Sequence, residues 1–429
     1  MDNYYHTPQF RRALQEYENL RDKGFGSYLD AEELTDVAEY YQTQGKTKQA
    51  LQALDMALKI FPGATSPTTL KARIILLMEQ NPEKATEIVE QTADKSDVEY
   101  AYTKAEIMIV NRQVKAAHKY LQKRLNTFGG DEEDFILDAA SLFADYDEHD
   151  YAEKWLQRST LTDDDDYKEI QARIMMSRGM FDESERIFNE LIDRDPFSNT
   201  YWNQLASSQY MRNNIKDSIT SSEYALAINP DDEEAILNKA NGLFTLGNLD
   251  EARNYYERFL KKQPNNGAVL QEMAFLLSRL GKTEEAMTYI DKAEQAGIDK
   301  DLANVTRGYV LLESNKGEQA GEFFQKAIRQ SHSAPKVIFH IGIAVYDLGY
   351  LNFAKKMLQV LFGHVGPEWK DGYAYYARCC YELGDEVEFL DALKDAIRIN
   401  PDEARQVLGD LYPEETDPKD YGLPNPDLN

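Results

Sequence analysis

Residues 199–232 read NTYWNQLASSQYMRNNIKDSITSSEYALAINPDD, and residues 233–266 read EEAILNKANGLFTLGNLDEARNYYERFLKKQPNN. Both segments carry a small residue in their first half, a turn near the middle and a small residue early in their second half. In the second segment these positions hold Ala240, Gly247 and Ala252. A fixed period of 34 residues predicts a solenoid of antiparallel helical hairpins.

The same pattern continues through most of the 429-residue chain. Alignment on the alanine of the second half gives eleven units, and six of their ten spacings are 34 residues. The units begin near Ala31, Thr65, Val98, Glu133, Asp165, Asn199, Glu233, Gly267, Asp301, Pro335 and Lys370. Length alone suggests two or three globular domains, but the period predicts one extended array.

Each recurring position has a physical reason. Small residues in the first helix of a hairpin let the second helix approach closely. They are Ala38, Ala105, Ala140, Ala172, Ala206, Ala240, Ala274, Gly308, Gly342 and Ala377. At the turn, a glycine can adopt the left-handed conformation that ends a helix without a Cβ clash. The turn glycines are Gly45, Gly179, Gly247, Gly281, Gly349 and Gly384.

Two turns contain the tripeptide Gly-Lys-Thr, at residues 45–47 and 281–283. A phosphate-binding loop also needs a glycine five residues before the second one. Those positions hold Tyr40 and Leu276. We therefore predict a helix stop followed by a threonine N-cap at both places.

The sequence offers no other pattern typical of catalysis or metal binding. The six histidines include no pair spaced by three or four residues, and no histidine lies near a cysteine. An EF-hand loop starting at Asp145 would have Asp150 and Leu156 where glycine and glutamate are required. We predict no cofactor, no metal and no enzymatic activity.

Composition constrains the partners and the compartment. With 75 acidic and 48 basic residues, the formal charge is −27, which disfavours nucleic acid and anionic membranes as partners. No signal peptide or membrane-spanning segment is evident, and only two cysteines occur. We therefore predict a cytoplasmic protein whose oligomeric state is open.

Both ends of the array are predicted to carry capping helices, which give an open repeat core a polar outer face. The first stripe is Phe10, Ala13, Leu14, Tyr17 and Leu20, in a helix closed by Gly24; the second is Ala404, Val407, Leu408 and Leu411. The predicted regions are an N-terminal segment (1–30), the solenoid (31–403), and a capping helix with a disordered, acidic, proline-containing tail (404–429).

These residues resemble the tetratricopeptide repeat (TPR) family over about residues 31–403. The clearest copy places Trp202, Leu205, Ala206, Ala225 and Pro230 at the family's positions. The resemblance implies an all-α, right-handed superhelical solenoid of about eleven hairpins. It also implies that the first helices line a concave groove that binds protein segments.

Residues beside the core positions of the first helices change in character along the chain. Toward the N-terminus they are mostly acidic: Glu32, Asp36, Glu39, Glu99, Glu106, Asp134, Asp138, Asp145, Asp166 and Glu169. From residue 200 onward, amides and aromatics predominate, and we predict that these bind the partner. They are Asn203, Tyr210, Asn238, Asn241, Phe244, Gln271, Phe275, Tyr309, Phe339, His340, Tyr346, Tyr375, Arg378 and Tyr381.

The sequence thus predicts a non-catalytic scaffold or adaptor that binds an extended or helical protein segment, basic and apolar in character. Three alternatives stay open. In the first, the inner aromatics pack between repeats instead of binding a partner. In the second, the protein is a peptide-responsive sensor that changes its superhelical pitch. In the third, the protein is an enzyme with a groove site that the sequence does not reveal.

Overall fold

The computed structural model describes residues 2–5, 7–23, 29–78, 81–413 and 416–424. These residues form 25 α-helices and two short 3-10 helices, and they contain no strand. The contacts divide the chain into two compact units, Met1–Ala235 (unit 1) and Ile236–Asn429 (unit 2). Each unit is a succession of helical hairpins and is described by itself.

Unit 1 contains fourteen complete helices and the first residues of a fifteenth. They are α1 Asp2–Tyr5, α2 Pro8–Lys23, α3 Ala31–Thr43, α4 Thr47–Ile60, α5 Thr65–Met78, α6 Pro82–Val89, α7 Val98–Val110, α8 Val114–Leu125, α9 Glu132–Asp145, α10 His149–Leu156, α11 Asp165–Ser177, α12 Phe181–Arg194, α13 Asn199–Met211, α14 Ile215–Ile228 and α15 Glu233–Thr245. From α3 onward, odd-numbered helices are the first helices of hairpins. Six of the seven predicted unit starts coincide with the first residue of a helix, and α9 begins one residue early.

Unit 2 continues this alternation. Its further helices are α16 Leu249–Lys262, α17 Gly267–Arg279, α18 Thr283–Gln295, α19 Lys300–Glu313, α20 Gly317–Gln330, α21 Pro335–Asp347, α22 Leu351–Phe362, α23 Tyr373–Glu382, α24 Glu386–Ile399 and α25 Pro401–Leu408, followed by the 3-10 helices Gly409–Leu411 and Pro418–Asp420. Three predicted starts again agree within one residue. The last hairpin begins at Tyr373 instead of Lys370, because a longer linker (363–372) precedes it.

The recurring positions perform the predicted structural roles. Small residues of the first helices, such as Ala206 and Ala274, are fully buried. All six turn glycines have positive φ angles, between 66° and 79°. Arg112, Asn213 and Asn315 adopt the same left-handed conformation at the corresponding turn of other repeats. The turn therefore requires a residue in the left-handed conformation, and that residue need not be glycine.

The threonine of each Gly-Lys-Thr turn is not an N-cap. Lys46 and Lys282 occupy the N-cap positions, and neither side chain caps its helix. Thr47 and Thr283 are the first residues of α4 and α18. The predicted threonine caps are therefore wrong, because each helix starts one residue earlier than expected.

Apolar side chains cover both ends of the array. In unit 1, Phe10 and Tyr17 of α2 belong to the core cluster that contains Leu34 and Val37 of α3. In unit 2, Leu408 of α25 is buried in the last cluster. The predicted closing residue of α2, at position 24, lies outside the described residues.

The tail differs from the prediction of disorder over residues 416–424. Tyr421 is buried in the last core cluster, and its ring stacks on Tyr412 with the centroids 3.9 Å apart. The Tyr412 hydroxyl donates to the Gly422 carbonyl at 2.6 Å. Two tyrosines supply the apolar area that composition alone did not suggest. Among the described helices, none is long and apolar enough to cross a membrane.

Candidate functional site

Many acidic side chains of unit 1 cap or join helices. Asp30, Asp97, Asp131 and Asp164 are N-caps, and their side chains accept hydrogen bonds from the first turns of α3, α7, α9 and α11. Such a carboxylate satisfies backbone N–H groups that the helix leaves unpaired, and it favours the positive end of the helix dipole. Residues 131–170 hold fifteen acidic and three basic side chains, and part of this acidic region is therefore structural.

Ion pairs use further carboxylates of that region. Asp163 accepts from Lys168 Nζ at 2.6 Å and from Arg194 Nη2 at 2.7 Å. These two cations lower the pKa of Asp163 to about 2. Arg173 Nη2 pairs with Asp145 at 2.5 Å. The pairs connect neighbouring repeats and neutralise charge that the sequence alone presents as an acidic patch.

A groove remains between the first helices of unit 1. It has a volume of about 380 Å³. The lining residues are Glu32, Thr35, Asp36, Glu39, Ser66, Thr69, Leu70, Arg73, Glu99, Tyr102, Thr103, Glu106, Asp138, Ser141, Leu142 and Asp145. They come from α3, α5, α7 and α9, so four consecutive repeats form one surface. The described lining holds seven carboxylates and one guanidinium.

Hydroxyl groups hold several of these carboxylates in place. Ser66 Oγ donates to Glu32 at 2.9 Å, and the Tyr4 hydroxyl donates to Asp36 at 2.5 Å. A hydroxyl positions a carboxylate without cancelling its charge. The groove is therefore ordered and still negative.

The positively charged side chain of Arg73 lies within the groove. Its Nε lies 2.9 Å from Glu106, whose carboxylate also accepts from the Tyr146 hydroxyl at 2.8 Å. Glu106 is 4% exposed, so it needs these partners, whereas 54% of the Arg73 side chain is exposed. Arg73 thus compensates one buried carboxylate, and Arg173 of α11 pairs with a second groove acid, Asp145.

Three of the seven groove carboxylates have a raised pKa. Burial, followed by repulsion from Asp36 and Glu99, raises the pKa of Glu39. Burial and the neighbouring Asp97 likewise raise the pKa of Glu99. For Asp138 the same two effects, burial and nearby carboxylates, raise the pKa above its usual value. Burial is the largest cause of all three shifts, and neighbouring carboxylates add to it.

The amides predicted to bind a partner are partly engaged within the protein. Asn203 is 2% exposed, and its Nδ2 donates to Asp232 at 2.8 Å. Gln271 Nε2 donates to Thr306 Oγ1 in the next repeat at 2.9 Å.

Asn241 Oδ1 accepts from the buried Tyr256 hydroxyl at 2.7 Å. Asn238 is half-buried on the same helix, α15. Partner binding by these amides therefore stays a prediction, and part of their hydrogen-bonding capacity already stabilises the fold.

Aromatic residues of the inner positions in unit 2 form two groups. In the first, the Arg279 guanidinium lies 4.5 Å from the Phe244 ring, and Phe275 packs edge-on against Tyr309 at 5.1 Å. Tyr309 is 7% exposed, so this ring packs between repeats more than it faces solvent.

The second group surrounds Phe339. Its ring lies 5.6 Å from His340, 6.1 Å from Trp369 and 6.5 Å from Tyr375. Tyr346 continues the chain of rings, 5.4 Å from Tyr375. All five are half-buried, and they form one contiguous aromatic surface.

The remaining predicted residues are separate from these groups. Tyr210 of α13, in unit 1, is 38% exposed. Arg378 is paired with Asp410 at 2.5 Å, and Tyr381 packs on Phe389 at 5.4 Å. Arg378 and Tyr381 therefore contribute to packing at the C-terminal end.

Sequence reasoning missed Trp369. It lies in the linker 363–372, outside any repeat position, and its Nε1 donates to the Asp371 carbonyl at 2.8 Å. A signal was present, because this linker has ten residues, whereas the other linkers between hairpins of unit 2 have four.

The described residues contain no group of three or more His, Cys, Asp or Glu side chains that could hold a metal ion. Cys379 and Cys380 are buried free thiols, and burial raises the pKa of both. Neither has the lowered pKa of a reactive cysteine.

Comparison with known proteins agrees with the repeat pattern. A TPR repeat-containing protein of Dictyostelium discoideum is 27% identical over 173 residues, which cover 38% of this chain and 65% of the relative. The chain is a TPR-like repeat protein. The match spans slightly less than two thirds of that relative. A family model described as the TT21 fifth ARM repeats domain matches residues 233–345 of this TPR-like protein.

Solved structures show weaker likeness. The Cut9–Hcn1 hetero-tetramer of the APC/C aligns with a TM-score of 0.37 and 15% identity, covering 91% of this chain and 84% of that one. A tetratricopeptide repeat protein from Parabacteroides merdae gives a TM-score of 0.42 and 13% identity, covering 57% and 98%. MamA gives 0.35 and 15%, covering 38% and 90%.

Proposed function

We propose that this TPR-like protein is a non-catalytic scaffold that binds a basic segment of another protein in the groove of unit 1. One observation carries the proposal: seven carboxylates and one arginine line a single groove of about 380 Å³. A lysine or arginine side chain entering it would gain charge-assisted hydrogen bonds and relieve the repulsion among the acids.

Charge distribution supports the same partner. Unit 1 has 45 acidic and 26 basic residues, and unit 2 has 30 and 22. A cationic segment is therefore attracted most strongly to the unit that holds the groove. Because first helices from four successive repeats line it, an extended segment can lie across them and place successive side chains against different helices.

In unit 2, we propose that the aromatic surface of Phe339, His340, Tyr346, Trp369 and Tyr375 receives apolar side chains. Half-buried tyrosine and tryptophan rings offer large contact area with a polar edge. We also propose a cytoplasmic location, which the two buried free thiols support.

The test is a titration with a labelled ten-residue peptide of alternating lysine and alanine. Wild type is compared with Glu39→Gln/Glu99→Gln, which removes two groove charges while keeping the side-chain shapes. The matched control is Glu83→Gln/Glu87→Gln, which removes two exposed charges of α6 in the same unit. We expect at least a tenfold loss of affinity for the groove variant and less than a threefold loss for the control. Equal losses of affinity in the two variants would mean that the peptide responds to net charge and not to the groove, and they would overturn the proposal.

A further inference from the structure

The N-terminal helix α1 contacts the acidic groove of unit 1 at Asp36. The Tyr4 hydroxyl of α1 donates to Asp36 Oδ2 at 2.5 Å. Asp36 is one of the residues that line the groove. A side chain 32 positions away in sequence therefore occupies an acceptor that a partner would use.

Packing holds α1 in this position. The Tyr4 ring lies 5.7 Å from Phe10 of α2, and the Tyr5 ring lies 4.9 Å from Phe10 and 5.5 Å from Tyr40 of α3. Thr7 Oγ1 also donates to the Tyr4 carbonyl at 2.7 Å. These ring contacts do not involve the Tyr4 hydroxyl, so its bond to Asp36 can be removed while α1 stays docked.

Tyr4 is also positioned to be displaced. Tyr4 is 39% exposed, and α1 is only four residues long. The hydroxyl is a neutral donor, whereas a lysine or arginine of a partner is a charged donor, which makes the stronger hydrogen bond to a carboxylate. A basic segment can therefore replace the hydroxyl at Asp36, but it must first break this bond.

We propose that Tyr4 is an autoinhibitory contact that competes with a basic partner for Asp36. The inference rests on the proposed function, because it concerns the same groove and the same class of partner. Tyr4 lowers the affinity for weakly basic segments and leaves the groove open to strongly basic ones, so it raises the threshold of positive charge for binding.

The experiment uses the full chain and the labelled lysine–alanine peptide. Tyr4→Phe removes the hydroxyl and keeps the ring, and Tyr40→Phe is the control, since it removes a hydroxyl from the same aromatic cluster. We expect Tyr4→Phe to bind about three- to tenfold more tightly than wild type, the effect of one hydrogen bond, with Tyr40→Phe unchanged. Thermal unfolding checks that all variants are folded.

A double-mutant cycle assigns the gain to Asp36. In an Asp36→Asn background, Tyr4→Phe should change the peptide affinity less than twofold. If wild type binds the peptide and Tyr4→Phe binds it equally well, the autoinhibitory contact is refuted and the groove proposal stands. If no variant binds the peptide, the proposed function fails, and the competition at Asp36 fails with it.

Discussion

Acidic side chains of this protein fall into two groups that the sequence does not distinguish. Carboxylates such as Asp163 and Glu90 accept from nearby cations, which hold the pKa of each at about 2. Carboxylates in the groove, such as Glu39, have raised pKa values because burial and neighbouring acids disfavour their charge. The first group stabilises the fold at neutral pH, and the second group destabilises it. Residues kept at such a cost are candidates for binding.

We predict that Glu39→Gln stabilises the protein at pH 7. Asp36 lies three positions before Glu39 on α3, and like charges at that spacing cost a few tenths of a kcal/mol. The gain is expected to be about 0.5 kcal/mol, or roughly 1–2 °C in Tm. Thermal unfolding of the two proteins measures it.

The sign of the pH dependence follows from the raised pKa of Glu39. The folded protein binds this proton more readily than the unfolded chain, so folding is penalised above the folded pKa and not below the ordinary value of 4.5. The difference in Tm between variant and wild type should therefore shrink as the pH falls from 7 toward 4. A constant difference would mean that the variant acts through packing.

Alanine substitutions at two glycines, Gly308 and Gly321, test how closely the two helices of a hairpin pack. A Cβ at Gly308 of α19 would lie 2.6 Å from Cδ1 of Phe324 on α20, and a Cβ at Gly321 of α20 would meet no atom within 4 Å. We predict that Gly308→Ala destabilises the protein by about 1–3 kcal/mol. Gly321→Ala should stabilise it by about 0.5–1 kcal/mol through helix propensity. Chemical denaturation of both variants decides this, and a neutral Gly308→Ala would show that Phe324 moves aside at little cost.

At the scale of the element, the helix boundaries were largely predictable. Turn residues and buried alanines recur in most repeats, so α5, α13 and α17 begin at the predicted residues. Prediction failed at α23, where the linker 363–372 replaces the first turn of the helix. The cause is local: Gly372 has φ of 93° and packs against Phe339 and Leu358, so the helix starts after it.

The candidate site was less predictable, because its contacts join neighbouring repeats. The bonds from Asn203 to Asp232 and from Gln271 to Thr306 span 29 and 35 residues. Periodicity places a residue on an inner face but does not say whether the next repeat supplies a partner. The acidic character of the N-terminal groove was nevertheless predictable, since it needs only the sign of the charge.

The C-terminal helix anchors the start of α23. Glu403 of α25 accepts from the Gly372 N–H at 2.7 Å and the Ala374 N–H at 3.0 Å. We predict that Glu403→Ala destabilises the protein by about 1–3 kcal/mol, because both N–H groups lose their acceptor. Hydrogen exchange should accelerate in the first turn of α23. Asp402→Ala, an exposed neighbour, is the control and should leave that exchange unchanged.

For the whole molecule, the net charge produces an electrostatic field that reaches farther than any single contact. The chain has a formal charge of −27, and unit 1 has 45 acidic residues against 26 basic ones. Such a field speeds the approach of a cationic partner before any specific contact forms. We expect the same charge to repel polyanions while it attracts a cationic partner.

The last prediction concerns the rate of association. If the field of unit 1 steers a basic peptide, its association rate constant should fall about tenfold or more between low salt and roughly 0.5 M salt, because the Debye length shortens from tens of ångströms to a few. The dissociation rate should change less, since it depends on contacts inside the groove. Stopped-flow fluorescence with the labelled lysine–alanine peptide measures both rates. Glu83→Gln/Glu87→Gln, which leaves the groove intact, should lower association slightly without changing dissociation, whereas Glu39→Gln/Glu99→Gln should also speed dissociation. An association rate that is independent of salt would exclude steering and leave only local contacts to explain binding.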